Sequence, residues 1–411
     1  MKRRPDVVLF SVVIALVAIG IVTVYSASYP IAARYARVHD AATASPGATD
    51  VDSDAADEAP VPAALQQTFM RRQMVWAALG LLCLIVALNM PLARLRSPGV
   101  VGAVLLMAFV LLALAYVPGV GSAQGREARR WIHVGHWLTL QPSEFAKFAM
   151  CLFLAYALSS LRERINDWRY LREVLAVLCL MLGLVVMEPH LGGTLVMAAT
   201  AACVFAAAGL RRRWFGYAAV AAVLLVAVSI TFQPYQRLRL VAWLDPVKYA
   251  DSIGYHAVHC GTALSRGGWV GRGLGRSIEK FSYLPECHTD SILAVLGEEH
   301  GFIGAFTVLA LFLTLAIRGM YIATAQERRF DCYLAVGLTA GIFLQAMLNF
   351  GVTSGLLPQT GVGMPFLTYG GSSLVFCMAA VGVLLNLSCN RPAADRPSAS
   401  RVKAGEGVRG S

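Results

Sequence analysis

The chain has 411 residues, 57% of them hydrophobic and 14% charged, with a mean hydropathy of +0.61. A soluble domain is about a quarter charged and a disordered chain is poor in apolar residues, so both classes are excluded. The formal net charge of +11 does not point to nucleic acid. The positive residues fall in short stretches between apolar runs, the pattern of membrane topology.

Ten apolar segments follow one another: 7–29, 73–91, 99–117, 142–161, 173–188, 192–210, 214–232, 290–317, 331–352 and 368–388. Each is long enough to cross a hydrocarbon core of about 30 Å as a helix rising about 1.5 Å per residue, the fifth being the shortest. The expected fold is therefore an all-α polytopic membrane protein, with residues 1–390 as one unit. An even number of crossings leaves both termini on one side. Lys and Arg concentrate in the connections on that side, among them Arg162, Arg164 and the run Arg211–Arg213. The positive-inside rule then sets N-in, C-in. The first run ends in Ser26-Ala27-Ser28, a weak signal-cleavage pattern. Its apolar stretch exceeds a signal core, and it reads as an uncleaved first helix. Residues 38–64, rich in Ala, Asp and Pro, are expected to form a disordered outer loop. Residues 391–411 are expected to be a flexible cytoplasmic tail near anionic lipid.

Three outer segments carry more polar, Gly and Pro residues than connectors need. In the first, 126–147, Pro142, Ser143 and Glu144 open a helix. Glu144 and Lys147, three apart, share its face, either as a structural ion pair or as part of a site. The second is the long loop 233–289. Its Arg237, Arg239, Arg266, Arg272, Arg276 and Lys280 and its closely spaced glycines suit an anionic ligand such as a pyrophosphate, against the plainer reading of a solvated basic loop. The glycine pattern GRGLG is weak for a nucleotide, since it neither follows a strand nor opens a helix of the dinucleotide-binding kind. The third, 349–373, breaks its spans with Pro358, Pro365 and six glycines. Irregular backbone at membrane depth is tolerated where it is buried or lines a cavity.

Asp290 opens the eighth span, where it is either a helix cap or a functional carboxylate stabilised by the helix dipole. Glu298 and Glu299 lie about 12 Å deeper on the same helix, where acids mark a substrate route, a proton relay or an ion pair. Gly297 and Gly301 allow another helix to pack close. Cys260 and Cys287 both face the outer side, which permits a disulfide. The set His256, His259, Cys260, Cys287 and His288 raises zinc, at a spacing that matches no standard site.

These motifs, in this order, resemble the SEDS family (shape, elongation, division and sporulation). The matching pieces are RRWI at 129–132, QPSEFAK at 141–147, WLDP at 243–246, GRGLGRSIEKFSYLPECHTD at 271–290, GEEHGFIG at 297–304 and PQTGVGMPFLTYGGSS at 358–373. Lys280 within GLGRSIEK is more similar to the division branch than to the elongation branch. The resemblance implies a peptidoglycan glycosyltransferase that polymerises lipid II on the outer face of the bacterial cytoplasmic membrane. It implies a class B penicillin-binding protein and other division proteins as partners, and a divalent cation, Mg2+ or Mn2+, as the one cofactor to consider. Its catalytic acid falls on Asp290, the general base and the candidate cation ligand. Substrate contacts fall on Arg129, Arg130, Lys147, Arg237, Arg239, Lys280, Glu286, His288 and Thr289. Cavity roles fall on Glu144, Glu298, Glu299, Pro358, Thr360, Pro365 and Ser372. The sequence departs from the family pattern at Pro189-His190-Leu191-Gly192-Gly193, at His259-Cys260 and at Ser291. A lipid II flippase and a non-catalytic division scaffold are the competing readings.

Overall fold

The computed structural model describes residues 4–43, 63–117, 121–122, 131–134, 138–188, 191–232, 234–250, 252–282 and 289–390. Its helices are α1 (Val7–Thr43), α2 (Ala63–Asn89), α3 (Leu92–Leu95), α4 (Pro98–Leu114), α5 (Pro142–Leu161), α6 (Trp168–Met187) and α7 (Leu191–Ala207). They continue with α8 (Arg212–Phe232), α9 (Pro234–Leu244), α10 (Tyr255–Gly267), α11 (Glu279–Ser282), α12 (Ile292–Thr324), α13 (Arg329–Thr353) and α14 (Gly371–Cys389). Among the described residues, seven helices are long and apolar enough to cross a membrane, and α4 and α7 are shorter apolar helices. Together with the 21-residue α8, each apolar run of the sequence corresponds to a helix.

Lipid tails are as apolar as Leu, so close packing rather than exclusion from water holds such a bundle together. The centre is α13 and α14, of whose spans 61% and 78% is buried, against 22% for α2 and α12 at the rim. α13 packs on α5, α7 and α12, and α14 packs on α2. One contiguous apolar core runs through them, with Phe312, Leu16, Met150 and Met197 fully enclosed.

Ion pairs tie one end of the bundle. Arg318 on α12 grips Asp6, which precedes α1, at 2.5 Å, and Asp6 N donates to Ser388 Oγ on α14 at 3.0 Å. Arg96 pairs with Asp331 of α13 through two hydrogen bonds of 3.1 and 2.5 Å. The Asp6–Ser388 contact sets the start of the first span beside the end of the last, as an even number of crossings requires.

Several expectations change. Residues 38–43 continue α1 and residues 63–64 begin α2, so the loop expected over 38–64 is helical at both ends; 44–62 lie outside the described residues, as do 391–411. Segment 126–147 contains strands β2 (Trp131–Val134) and β3 (Leu138–Leu140), which join the preceding β1 (Gly121–Ser122) in one antiparallel sheet just before α5. The aromatic and β-branched residues of WIHV and LTL around Gly135 are the sequence signal for it. The long loop folds as α9, α10 and α11. The eighth span is one long helix broken at Gly301, which adopts φ 67°. Phe302 to Thr324 alone measures about 34 Å at helical rise, so the crossing does not need the turn that carries Glu298 and Glu299.

Candidate functional site

The break in α12 orphans backbone groups, and the glycine loop satisfies them. Arg272 N and Gly273 N donate to the carbonyls of Glu298 and Glu299 at 3.0 and 2.9 Å, while Phe302 N and Ile303 N donate to the carbonyls of Gly268 and Trp269 at 2.8 and 3.2 Å. Such close approach requires glycine. A Cβ on Gly271, which has φ 87°, would lie 2.2 Å from Glu299 O. α10 docks on the same stretch, where a Cβ on Gly267 would lie 2.0 Å from Gly297 O. The close helix packing expected at Gly297 and Gly301 is thus present, with α10 and its following loop as the partner.

Side chains reinforce the junction. Glu298, fully buried, accepts hydrogen bonds from Ser277 Oγ at 2.5 Å, Ile278 N at 3.0 Å and Glu279 N at 3.2 Å. Lys280 Nζ donates to Glu299 Oε1, to Ser26 Oγ and to Gly275 O, each at 2.8 Å. Ser26 Oγ in turn donates to Glu299 Oε1 at 2.6 Å. An ammonium has three N–H donors, and all three are used. Lys280, read from the sequence as a substrate contact, is a 4% exposed tie between the loop, α1 and α12. Ser26, read as part of a cleavage pattern, is inside the same network. Glu279 is held by His259 Nδ1 at 2.7 Å and by Arg266.

Asp290 stands in the turn before α12, half-buried. The helix-cap position belongs to its neighbour Ser291, whose side chain makes no cap hydrogen bond. Ser291 Oγ instead lies 2.6 Å from His256 Nε2 of α10. Asn349 of α13, 1% exposed, donates from Nδ2 to the Asp290 carbonyl at 3.1 Å and to Val362 O at 2.9 Å. Thr289, beside the acid, is half-buried and accepts from Ile292 N at 3.4 Å.

One turn back on the same face of α13, Gln345 Nε2 donates to Gly363 O at 3.0 Å, and Gln345 Oε1 accepts from Lys147 Nζ at 2.5 Å. Lys147 also pairs with Glu144 at 2.7 Å, and Ser373 Oγ donates to Glu144 at 3.1 Å. Gln141 N donates to Ser372 Oγ at 3.2 Å. A polar stripe on α13 therefore joins the Glu144–Lys147 pair to Asp290 through the irregular segment 358–370. A small crevice lies beside the pair, lined by Glu144, Lys147, Gln345, Phe376 and Cys377 among others.

The irregular segment is anchored at several points. Arg239 of α9 donates to Gln359 O at 3.1 Å and Trp243 Nε1 donates to Gly355 O at 2.9 Å. Thr360 and Val362 press on Gly192 at the start of α7, where a Cβ would lie 2.6 Å from Thr360 Cβ. Gln359 Nε2, Thr360 Oγ1 and Asn349 Oδ1 are enclosed with no hydrogen-bond partner among the described residues. Pro358 is half-buried and Pro365 buried, bounding the segment.

Of the sequence-derived site residues, Asp290, Thr289, Arg239, Thr360, Lys147, Glu144 and Ser372 belong to this connected set. Arg237 is exposed on α9, and Lys280, Glu298 and Glu299 form the neighbouring network. Arg129, Arg130, Glu286 and His288 lie outside the described residues. Sequence reasoning missed Asn349, Gln345 and the role of His256. The signal for the first two was an amide inside an apolar span, which is costly unless bonded. Cys260 is a free buried thiol, and Cys287 lies outside the described residues. Among the described residues no three His, Cys, Asp or Glu converge on a point that would hold a metal. Glu286, Cys287 and His288, which precede Asp290, lie outside the described residues, and no step below runs through a metal.

Comparison with known proteins matches residues 59–392 to the family model of FtsW, RodA and SpoVE, described as cell cycle protein. A probable peptidoglycan glycosyltransferase FtsW of Geobacter metallireducens is 34% identical over 94% of this chain and 95% of its own length. One from Pseudomonas fluorescens is 38% identical over 77% of this chain and 78% of its own. A solved structure described as the structural coordination of polymerization and crosslinking by a peptidoglycan synthase complex is 28% identical, with TM-score 0.71 over 95% of this chain and 99% of that one. The crystal structure of Thermus thermophilus rod shape determining protein RodA is 26% identical, with TM-score 0.65 over 95% of this chain and 98% of that one. The family match across most of the chain, with the same bundle recurring in solved relatives, shows that this chain belongs to the FtsW/RodA/SpoVE family of cell cycle proteins.

Proposed function

We propose that this chain is the peptidoglycan glycosyltransferase of cell division, polymerising lipid II on the outer face of the cytoplasmic membrane with Asp290 as general base. The observation that carries it is the seat of Asp290. A carboxylate stands in the turn before a helix, at the end of the bundle away from the Arg318–Asp6 and Arg96–Asp331 pairs. Its backbone is held by Asn349 at 3.1 Å, and the segment that Asn349 also binds carries donors for a departing diphosphate. The names of the relatives and the architecture they share support the activity.

In the reaction the acceptor sugar hydroxyl gives its proton to the Asp290 carboxylate as its oxygen attacks the anomeric carbon of the donor. The bond to the lipid diphosphate breaks on the opposite face, so an α-linked donor yields a β-linked glycan. The diphosphate leaves with the electron pair of that bond. Positive charge on the departing group lowers the barrier, and Arg239 supplies it beside Gln359. Lys147 holds the irregular segment through Gln345. The orientation follows from the basic connections at the Arg318 end, which the positive-inside rule assigns to the cytoplasm together with both termini. The partner is a class B penicillin-binding protein, which crosslinks the strands made here, among other division proteins.

A transporter concentrates its polar residues near mid-membrane, often in paired halves. Here the polar stripe sits at one end of α5, α13 and α14. Liposomes carrying the chain, its transpeptidase partner and labelled lipid II test this. Labelled glycan polymer is expected on the side that the outer loops face. Transfer of intact lipid II between leaflets without polymer would contradict the proposal and favour a flippase. Neither product from a folded complex would favour a scaffold.

A further inference from the structure

His256 stands in the first turn of α10 with a different partner on each ring nitrogen. Nε2 lies 2.6 Å from Ser291 Oγ and Nδ1 lies 3.5 Å from Cys260 Sγ. Cys260 is one helical turn along the same face of α10 and 2% exposed. Burial pushes its thiol up to about 12, the Asp290 and Glu279 carboxylates adding to the rise and a hydrogen bond from Ser291 opposing it. The sulfur is therefore a neutral S–H at working pH. A neutral imidazole has one donor and one acceptor nitrogen. Cys260 Sγ and Ser291 Oγ can each donate or accept, so one neutral imidazole satisfies both contacts in either tautomer. Cys260 packs with Ala27, Ala263, Ala294 and Val295 in an apolar cluster separate from the main core.

Ser291 is the residue after Asp290 and holds the helix-cap position. A serine there ordinarily turns its hydroxyl to a helix N–H. Ser291 makes no such bond and faces His256 instead. The backbone around Asp290 is thus gripped twice: by Asn349 on its carbonyl at 3.1 Å, and by His256 through the neighbouring hydroxyl.

We propose that His256 is a positioning residue for Asp290, its Nε2 contact with the Ser291 hydroxyl fixing the turn that aims the carboxylate at the acceptor hydroxyl. The inference rests on the reading of Asp290 as the base. In this role the ring acts through Ser291, on geometry alone. A shift of about 1 Å in a reacting group costs on the order of a hundredfold in rate. Loss of the hold therefore lowers kcat and leaves KM largely as it was.

The test measures initial rates of glycan polymerisation against lipid II concentration, with the full chain in complex with its class B penicillin-binding protein. His256→Ala is expected to lose about tenfold or more in kcat with KM within about twofold. His256→Gln keeps an N–H for Ser291 and should stay within about threefold of wild type. Ser291→Ala should match His256→Ala, and the double variant should be no worse than either. A wild-type kcat for His256→Ala, an equal loss in His256→Gln, or additive losses in the double variant would each overturn the proposal. Should His256→Ala not assemble, Ser291→Ala, which removes one buried hydroxyl, carries the same expectation. Asp290→Asn in the same assay separates the two readings. An inactive Asp290→Asn beside an unimpaired His256→Ala sinks only the positioning role, whereas an active Asp290→Asn sinks the assignment of the base.

Discussion

Lys280→Met separates a structural tie from a substrate contact. The side chains of Lys280 and Glu299 are 2% and 0% exposed, and the ammonium is the cationic partner that reaches Glu299 Oε1. Removing one member of a buried pair strands the other charge, at a cost of about 3–5 kcal/mol. In a thermal melt of the full chain in detergent, followed by tryptophan fluorescence, that loss lowers the midpoint by on the order of 5 °C. Adding Glu299→Gln removes the stranded carboxylate. The double variant should then recover most of the loss, the remainder being hydrogen bonds worth about 1 kcal/mol each. If Lys280 instead gripped the diphosphate, Lys280→Met would melt as wild type, raise KM for lipid II and gain nothing from the second substitution. An unchanged midpoint, or no recovery in the double variant, refutes the reasoning.

Asn349→Ala leaves the Asp290 and Val362 carbonyls without their donor, each buried unpaired group costing about 1–3 kcal/mol; polymerisation should fall by more than tenfold while the complex with the transpeptidase still purifies. Gly271→Ala should destabilise the chain more than Gly273→Ala, because its Cβ would meet Glu299 O at 2.2 Å whereas that of Gly273 meets nothing nearer than 3.6 Å. The second variant bears left-handed backbone strain of only about 1–2 kcal/mol, and equal melting midpoints would contradict the account. Cys260, whose thiol burial pushes up to about 12, is about one part in ten thousand thiolate at pH 8, and only the thiolate reacts. Maleimide mapped by mass spectrometry should spare it in the folded chain and label it in denaturant; labelling of the native chain would contradict its burial.

The bundle was legible because period and run length alone define helices in lipid. The helix boundaries were less so. Nothing in the apolar pattern marks the break at Gly301, which exists because the distant segment 268–273 supplies hydrogen bonds to it. The small sheet before α5 escaped attention because WIHV and LTL are too short to stand out beside the apolar runs. Asp290 was legible from the motif around it, but its supports were not. Asn349 and Gln345 look like stray amides in a span until the segment 362–363 is laid along them. The buried seat of Lys280 was not legible either. A basic residue in a basic loop reads as a ligand contact, and only the fold brings Ser26 and Glu299 to it. Apart from the local sheet, each miss involves groups separated in sequence whose meeting depends on tertiary packing.

The most direct test of the central claim is the polymerisation rate of Asp290→Asn from labelled lipid II, measured in complex with the transpeptidase. The substitution keeps the size and hydrogen-bonding reach of the side chain and removes the proton acceptor. The account predicts a complex that purifies and melts as wild type and makes no polymer. Polymer at the wild-type rate would contradict Asp290 as the general base.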